Sequence, residues 1–407
     1  MLATSQDRVR SGFLCFVGSL GLGYRTLPIT DALRIHPAEV LLWSLAAYLL
    51  INRTRCQEPT PKLWLPLWLW LFMPFWIVGW APSAQNWYAI DIRIAECRNF
   101  VLLVPLFLVV QTVLTSAAPW RIATLTLYYT SIWIASLGIV EYVFPGIRNL
   151  LPGFVSDPSA FLSADGFARA RFSFWGGPHA TFICVLAMPF ALLLWRHWPA
   201  RRAKVATIAG LALQIMAVYI GGYRSMWLLL FIQWLLLLLF TQRYLMGITV
   251  MAVALCGYEF MPRETRGRVD SLAMLLQGQP IDSSGIKRQN RSLEAFEMAL
   301  ENPTGSGWAA AGWVHSDFIQ IAANLGVLAG LLFLVAYAYT LWNLWKRVHA
   351  LRHEGAAATL GLALLLSFVA AGGMLAFEGV EVLPQIALPV WLIWAFAETW
   401  LRRSSLL

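Results

Sequence analysis

Polar residues that could act on a charged substrate are concentrated in three short stretches of this sequence. These are residues 168–179, 221–225 and 302–318, and each combines glycine with arginine or histidine. An arginine guanidinium binds phosphate or carboxylate oxygens through two parallel hydrogen bonds. A neutral imidazole can accept a proton from a hydroxyl group near neutral pH. The three stretches therefore favour chemistry on an anionic substrate.

Two residues are the main candidates for catalysis. Arg224 begins a predicted helix after Gly221-Gly222-Tyr223, and His315 stands at the start of a long apolar run. The candidates for substrate binding are Arg171, Arg288, Arg291 and His179.

The segment 286–301 carries two of these arginines on a predicted amphipathic helix. Its apolar residues have helical spacing and are Ile286, Leu293, Phe296 and Leu300. The helix should end at Asn302-Pro303. We expect it to lie against the membrane face as a lid or platform.

Each candidate also has a structural interpretation. A histidine at a helix end is often a cap, which applies to His315, His179 and His36 alike. The arginines outside the membrane could balance acids, namely Asp157, Asp165, Glu264, Asp270 and Asp282. Gly305-x-Gly307 indicates a turn, because the strand–turn–helix context of a nucleotide loop is absent.

The elements that position these residues are membrane-spanning helices. Hydrophobic residues make up 59% of the 407 residues and charged residues only 13%, and the mean hydropathy is +0.64. Apolar runs of about 20 residues are what a bilayer core requires of a helix. We predict an all-α polytopic membrane protein, a single domain over 1–407, with twelve spans: 11–24, 38–51, 63–80, 99–116, 120–143, 178–195, 205–220, 225–241, 244–260, 316–342, 356–377 and 383–400.

The distribution of basic residues predicts the orientation of these spans. With a cytoplasmic N-terminus, 16 of the 30 lysines and arginines lie inside, and the short loops and tails divide 16 to five. Both termini are then cytoplasmic, and the long loops 144–177 and 261–315 are periplasmic. The second of these loops, between spans nine and ten, should be partly helical. Of the 14 basic residues outside, 13 are arginines, which favours an anionic substrate at that surface.

The sequence disfavours three other classes of protein. A nucleic-acid-binding protein is disfavoured because no motif of such a module is present. A coupled transporter usually places ionisable residues near the midplane of the bilayer, and they are scarce within the predicted spans. A purely structural scaffold would leave the three polar stretches unexplained.

The five cysteines include no CxxC pair and indicate neither a metal site nor a disulfide.

The run from Gly285 to Gly330 resembles the signature segment of the O-antigen ligase/polymerase superfamily of bacterial envelope glycosyltransferases. The matching elements are basic residues before an amphipathic helix, Asn302-Pro303, Gly305-x-Gly307, His315-Ser316-Asp317-Phe318-x-Gln320, Gly326 and Gly330. Gly222-x-Arg224 and the stretch from Arg171 to His179 resemble further parts of that family. These motifs occur in the family's order over about the last 60% of the chain. The spacing from Gly307 to His315 is shorter than in many relatives.

The resemblance implies a metal-independent, inverting glycosyl transfer that needs no cofactor. The donor would be a glycan on undecaprenyl diphosphate in the bacterial inner membrane, and the active site would be periplasmic. Arg224 would stabilise the leaving diphosphate, helped by Arg171, Arg288 and Arg291, and His315 would deprotonate or orient the acceptor hydroxyl. The short spacer before His315 favours a repeat-unit polymerase with a saccharide acceptor. The alternatives are an O-antigen ligase with a lipid A–core acceptor and a transporter of lipid-linked glycan.

Overall fold

A computed structural model provides the architecture of the chain. It describes residues 5–22, 27–28, 34–52, 65–80, 90–144, 177–197, 200–242, 266–267, 270, 283–312, 314–351, 355–377 and 384–403.

Regular structure in these residues is almost entirely helical, which confirms the predicted all-α class. The helices are α1 Ser5–Ser19, α2 Pro37–Ile51, α3 Leu67–Val78, α4 Ile90–Val101, α5 Leu103–Val113, α6 Ala117–Val143, α7 Gly177–Ala187, α8 Ala191–His197, α9 Arg201–Gly221, α10 Arg224–Thr241, α11 Ser283–Glu301, α12 Asp317–Leu325, α13 Val327–Ala350, α14 Gly355–Phe377 and α15 Pro384–Arg403. Short 3₁₀ turns occupy Leu20–Leu22 and Met188–Phe190. Two short strands, β1 Leu27–Pro28 and β2 Arg34–Ile35, form an antiparallel pair in which Leu27 faces Ile35.

Seven helical segments in the described part of the chain are long and apolar enough to cross a membrane. They are Ile92–Val113, Ala117–Val143, His179–Arg196, Arg201–Gly221, Arg224–Thr241, Val327–Ala350 and Gly355–Phe377. Each corresponds to one of the twelve predicted spans, and together they are compatible with a multi-pass membrane protein. The total of twelve and the orientation of the chain stay predictions.

The other five predicted spans differ from these seven. Those at 38–51 and 63–80 form the shorter apolar helices α2 and α3. The run 11–24 lies partly in α1, and 383–400 lies in α15, a 20-residue helix whose glutamate and two terminal arginines lower its hydropathy. The ninth, 244–260, lies outside the described residues.

The predicted span 316–342 is two helices. Helix α12 ends at Leu325, Gly326 adopts a φ of +102°, and α13 begins at Val327. An apolar run does not reveal such a break, because hydropathy is insensitive to backbone direction. Discontinuous helices in membrane proteins are tolerated where protein atoms satisfy the freed backbone groups.

The chain divides into two compact units, and the four boundaries fall within α6, α11, α13 and α14. The first unit comprises residues 1–130, 291–348 and 374–407. Aromatic side chains form the centre of its core: Phe72, Phe100, Phe333, Trp391 and Trp394 lie in mutual edge or tilted contact, with centroids 5.4–6.1 Å apart. This core packs helices α3, α4, α13 and α15 together.

Within this unit, buried His36 caps α2. The ring nitrogen Nδ1 of His36 accepts a hydrogen bond of 3.1 Å from the Ala38 N–H, and the backbone N–H of His36 donates to Glu39 Oε1 over 2.9 Å. This reciprocal arrangement satisfies donors at the helix start. Arg98 then approaches Glu39 to 3.4 Å, which joins α4 to α2. His36 is therefore a structural residue.

The second unit comprises residues 131–290 and 349–373. Its α7 and α8 are separated by the 3₁₀ turn Met188–Phe190. Pro189 in this turn has no N–H to donate to the carbonyl oxygen of Val185 four residues earlier. The side-chain amide of Gln233 in α10 supplies that hydrogen bond, and it also donates to Leu366 O in α14, each over 3.1 Å. Ser367 donates to the neighbouring Leu186 O over 2.7 Å. Polar side chains from two helices thus repair the break and tie three helices together.

Candidate functional site

His315 lies in the first unit, half-buried, between two backbone anchors. Before it, the Val314 N–H donates to Gln320 Oε1 over 3.1 Å. After it, Ser316 is the N-cap of α12, and the Ser316 carbonyl accepts the Gln320 N–H over 2.9 Å. The same glutamine of α12 therefore holds the chain on both sides of the histidine.

The Asn302–Gly307 turn is clamped onto the break between α12 and α13. The last carbonyls of α12 need outside donors because the helix ends there. The Ser306 and Gly307 N–H groups supply them to Ala323 O and Asn324 O, over 2.9 and 2.8 Å. In return, the Val327 N–H donates to Pro303 O over 3.0 Å. The Gly305-x-Gly307 motif, predicted to be only a turn, thus also caps a helix.

Trp308 fixes the next part of this segment to the end of α3. Its N–H donates to Gly79 O over 2.8 Å, and its indole Nε1 donates to Trp76 O over 3.0 Å. A Cβ on Gly79 would lie 2.5 Å from that indole nitrogen, so only glycine permits this approach. Arg93 also donates to Gly79 O over 3.2 Å.

The buried carboxyl group of Glu96 in α4 contacts residues on both sides of His315. Its Oε2 accepts the backbone N–H of Ala309 and the side-chain amide of Asn324, the latter over 3.2 Å. Its Oε1 accepts the side-chain amide of Gln320 over 2.7 Å. Glu96 is 5% exposed, and the two amide residues are at most 1% exposed. Three donors from the protein thus contact the two oxygens of this side chain.

Backbone donors determine the orientation of both amides. The Val314 N–H occupies Gln320 Oε1, and the Ala311 N–H occupies Asn324 Oδ1 over 2.9 Å. The amide nitrogens must then face Glu96. Glu96, Gln320 and Asn324 together form what we call the carboxylate–amide network, which connects α4, α12 and residues 309–314.

The predicted amphipathic helix is present as α11, and the side of it that packs against the first unit carries small residues. Ala295 and Ala299 are the buried residues, and they pack against Val314 and Ala323. The apolar residues of the predicted pattern are 41–59% exposed, namely Ile286, Leu293, Phe296 and Leu300. Small side chains therefore face the unit, and the position of α11 against a membrane stays a prediction.

The predicted site residues belong to different parts of the structure. His315 and Arg291 lie in the first unit, and Arg291 is an exposed residue 3.8 Å from the equally exposed Glu294. Arg224, His179 and Arg288 lie in the second. Arg171 and most of loop 144–177 lie outside the described residues. That His315 and Arg224 act on one substrate stays a prediction.

In the second unit the turn before Arg224 has the predicted form. Helix α9 ends at Gly221, its C-cap Gly222 is in the left-handed conformation with a φ of +66°, and Arg224 is the first residue of α10. Arg224 is half-buried, while His179 near the start of α7 is 8% exposed. A guanidinium at the first turn of a helix lies beside the helix N–H groups, which together favour a negative charge.

The sequence interpretation missed Glu96 and Asn324, and it noted Gln320 only as part of a motif, without a role. Glu96 lies within the candidate span Ile92–Val113, whereas the predicted span began at residue 99. The spacing of Gln320 and Asn324, four residues apart on one helix, was a signal for a shared polar partner. Their common partner in α4 had no such signal.

No group of three or more His, Cys, Asp or Glu side chains in the described ranges is placed to hold a metal ion. Comparison of the sequence with known protein families finds no match. A search of curated proteins also finds no significant relative.

Proposed function

We propose that this chain is a membrane glycosyltransferase of the O-antigen ligase/polymerase type. It would transfer glycan from an undecaprenyl-diphosphate donor to an acceptor at the periplasmic face of the bacterial inner membrane. The observation that carries the proposal is the anchoring of His315 at the start of α12 by Val314 and Ser316. Preorganisation of this kind is expected of a catalytic group, because small displacements of a reacting group are costly.

In the proposed reaction the acceptor hydroxyl oxygen attacks the anomeric carbon of the donor sugar. The bond from that carbon to the diphosphate oxygen breaks, and the hydroxyl proton passes to His315. Arg224 stabilises the charge on the departing diphosphate, with Arg171, Arg288 and Arg291 as further contacts and His179 at the donor. Stabilisation of charge that develops only in the transition state accelerates the reaction. No metal ion is required by this scheme.

Two acceptors are compatible with the same donor and residues. The short spacer between Gly307 and His315 favours a polymerase that extends a saccharide repeat unit. A ligase that transfers finished glycan to lipid A–core is the alternative.

A transporter of lipid-linked glycan is the second candidate function, and two observations favour it. Glu96 is an ionisable residue inside a candidate span, and the α12–α13 helix is discontinuous. Both features occur at transport sites. However, both carboxylate oxygens of Glu96 accept hydrogen bonds from the protein itself, which indicates a structural use of the charge.

The test is the glycan profile of a strain that lacks this gene, complemented with wild type, His315→Ala or Arg224→Ala. His349→Ala and Arg202→Ala change exposed residues of the same types and are the matched controls. When all four variants are present in the membrane at equal levels, loss of glycan product in His315→Ala and Arg224→Ala but not in the two controls supports the enzyme. Accumulated single lipid-linked repeat units indicate a polymerase, and long lipid-linked chains that never reach lipid A–core indicate a ligase. Normal profiles from both variants would reject the proposal in favour of transport.

A further inference from the structure

The carboxylate–amide network requires a group at position 96 that only accepts hydrogen bonds. Each of its amides has its oxygen occupied by a backbone N–H of residues 311–314, so each presents its nitrogen to Glu96. The Ala309 N–H is a further donor to the same carboxylate. An ionised carboxylate offers acceptor positions on both oxygens and donates none.

A neutral amide at position 96 would break this complementarity. In Glu96→Gln, one oxygen could still accept from Ala309 and Asn324. The new NH₂ group would then face the amide nitrogen of Gln320, and two donors would oppose each other. Gln320 could turn over only by releasing the Val314 N–H, the residue next to His315.

The network also explains how the carboxyl group of Glu96 is tolerated in a buried position. An unpaired buried carboxylate is strongly unfavourable, whereas one that accepts several hydrogen bonds is stabilised. Its removal leaves buried donors of residues 309–324 without acceptors, and such groups are costly to leave unsatisfied.

We propose that Glu96 is the positioning residue for His315. Through Gln320 it holds the Val314 N–H, and through Ala309 and Asn324 it holds the chain that leads to His315. Glu96 touches neither substrate nor reacting atoms in this scheme. The inference rests on the proposed function for its catalytic part, while the effect of Glu96 on the 303–316 segment can be measured without any activity.

The experiment compares purified full-length variants by hydrogen–deuterium exchange of peptides that cover residues 303–316. In Glu96→Gln we expect exchange in this segment to be at least about tenfold faster, as loss of a charge-assisted hydrogen bond implies. The exchanged pair Glu96→Gln with Gln320→Glu restores a donor–acceptor match at every contact. It should therefore return exchange to within about threefold of wild type, since one equivalent hydrogen bond replaces another. Glu398→Gln, a buried carboxylate that accepts from Thr340, is the matched control and should leave the segment unchanged.

Glycosyl transfer by the same preparations tests the positioning of His315. Glu96→Gln should lower kcat by about a hundredfold at a nearly unchanged KM for the lipid-linked donor, because a displaced reacting group slows the chemical step. The exchanged pair should recover most of that loss. A general structural defect would not be rescued by moving the charge to position 320.

The outcomes separate the two proposals. Unchanged exchange in Glu96→Gln, or faster exchange with unchanged kcat, overturns the positioning role. An exchanged pair that stays as defective as Glu96→Gln overturns it as well. If Glu96→Gln does not fold, a folded and active exchanged pair supports the role, and an unfolded one overturns it. Wild-type protein that transfers no glycan would reject the proposed function, while the exchange data would still decide whether Glu96 holds the segment.

Discussion

Gly305 and Gly326 approach each other through their backbones. A Cβ on Gly305 would lie 2.7 Å from the amide nitrogen of Gly326 and 2.6 Å from Asn324 O. A Cβ on Gly326 would lie 2.8 Å from Pro303 O. Both residues have a positive φ, +96° and +102°. The turn before His315 and the break after α12 therefore form one joint in which neither position accepts a side chain.

Gly305→Ala should destabilise this joint severely. The left-handed backbone and the forced backbone displacement together cost about 3 kcal/mol. The thermal unfolding midpoint in detergent measures this loss.

The control is Gly355→Ala, at a φ of +53°, where an added Cβ would have no neighbouring atom within 4 Å. It carries only the conformational cost, about 1 kcal/mol. Equal shifts in the two variants would show that the close approach at Gly305 contributes nothing.

Ala309→Gly should be neutral or stabilising. Ala309 has a left-handed φ of +64°, which an L-residue adopts at a cost, while its N–H donates to Glu96. Glycine removes that cost, but it also raises the conformational entropy of the unfolded chain, which opposes folding. The net gain in stability is therefore at most about 1 kcal/mol. The same change at Ala299 in α11 should instead destabilise by about 1 kcal/mol or more, because glycine disfavours helix interiors. Destabilisation of similar size at both positions would contradict the assignment of strain to Ala309.

Gln233→Met should destabilise the second unit because Val185 O loses its donor, whereas Leu366 O keeps the backbone N–H within its own helix and loses only a second bond. An unsatisfied buried carbonyl costs about 1–3 kcal/mol. Pro189→Ala supplies a backbone N–H that can reach Val185 O, so Gln233→Met should cost less in that background. A double-mutant cycle on unfolding midpoints measures the coupling. Strict additivity would mean that Gln233 does not compensate for Pro189.

The helices that hydropathy identifies were largely predictable. The predicted span 205–220 is Arg201–Gly221, and the predicted helix 286–301 is Ser283–Glu301. Both are continuous runs with a single period, so local sequence determines them. The helix break at Gly326 was not predictable, because it depends on the loop around Gly305 that caps it. Glu96 was missed for the same reason: its partners lie 213–228 residues away along the chain.

The packing of α11 shows a different limit of sequence patterns. Its leucines and phenylalanine predicted an apolar face toward the membrane, but they did not identify Ala295 and Ala299, against which the first unit packs. In a membrane protein an apolar side chain can face lipid as well as protein, so the pattern alone does not identify the partner. Small residues often mark the protein-facing side.

The most direct test of the central claim is glycosyl transfer by the purified protein in lipid nanodiscs. The reaction contains an undecaprenyl-diphosphate-linked glycan, a saccharide acceptor and EDTA, and the measured product is free undecaprenyl diphosphate. Wild type should release it together with extended glycan despite the chelator. His315→Ala should be slower by at least about a hundredfold, the usual contribution of a general base, while His349→Ala keeps the wild-type rate. Release at equal rates by wild type and His315→Ala, or no release by wild type, would contradict the account.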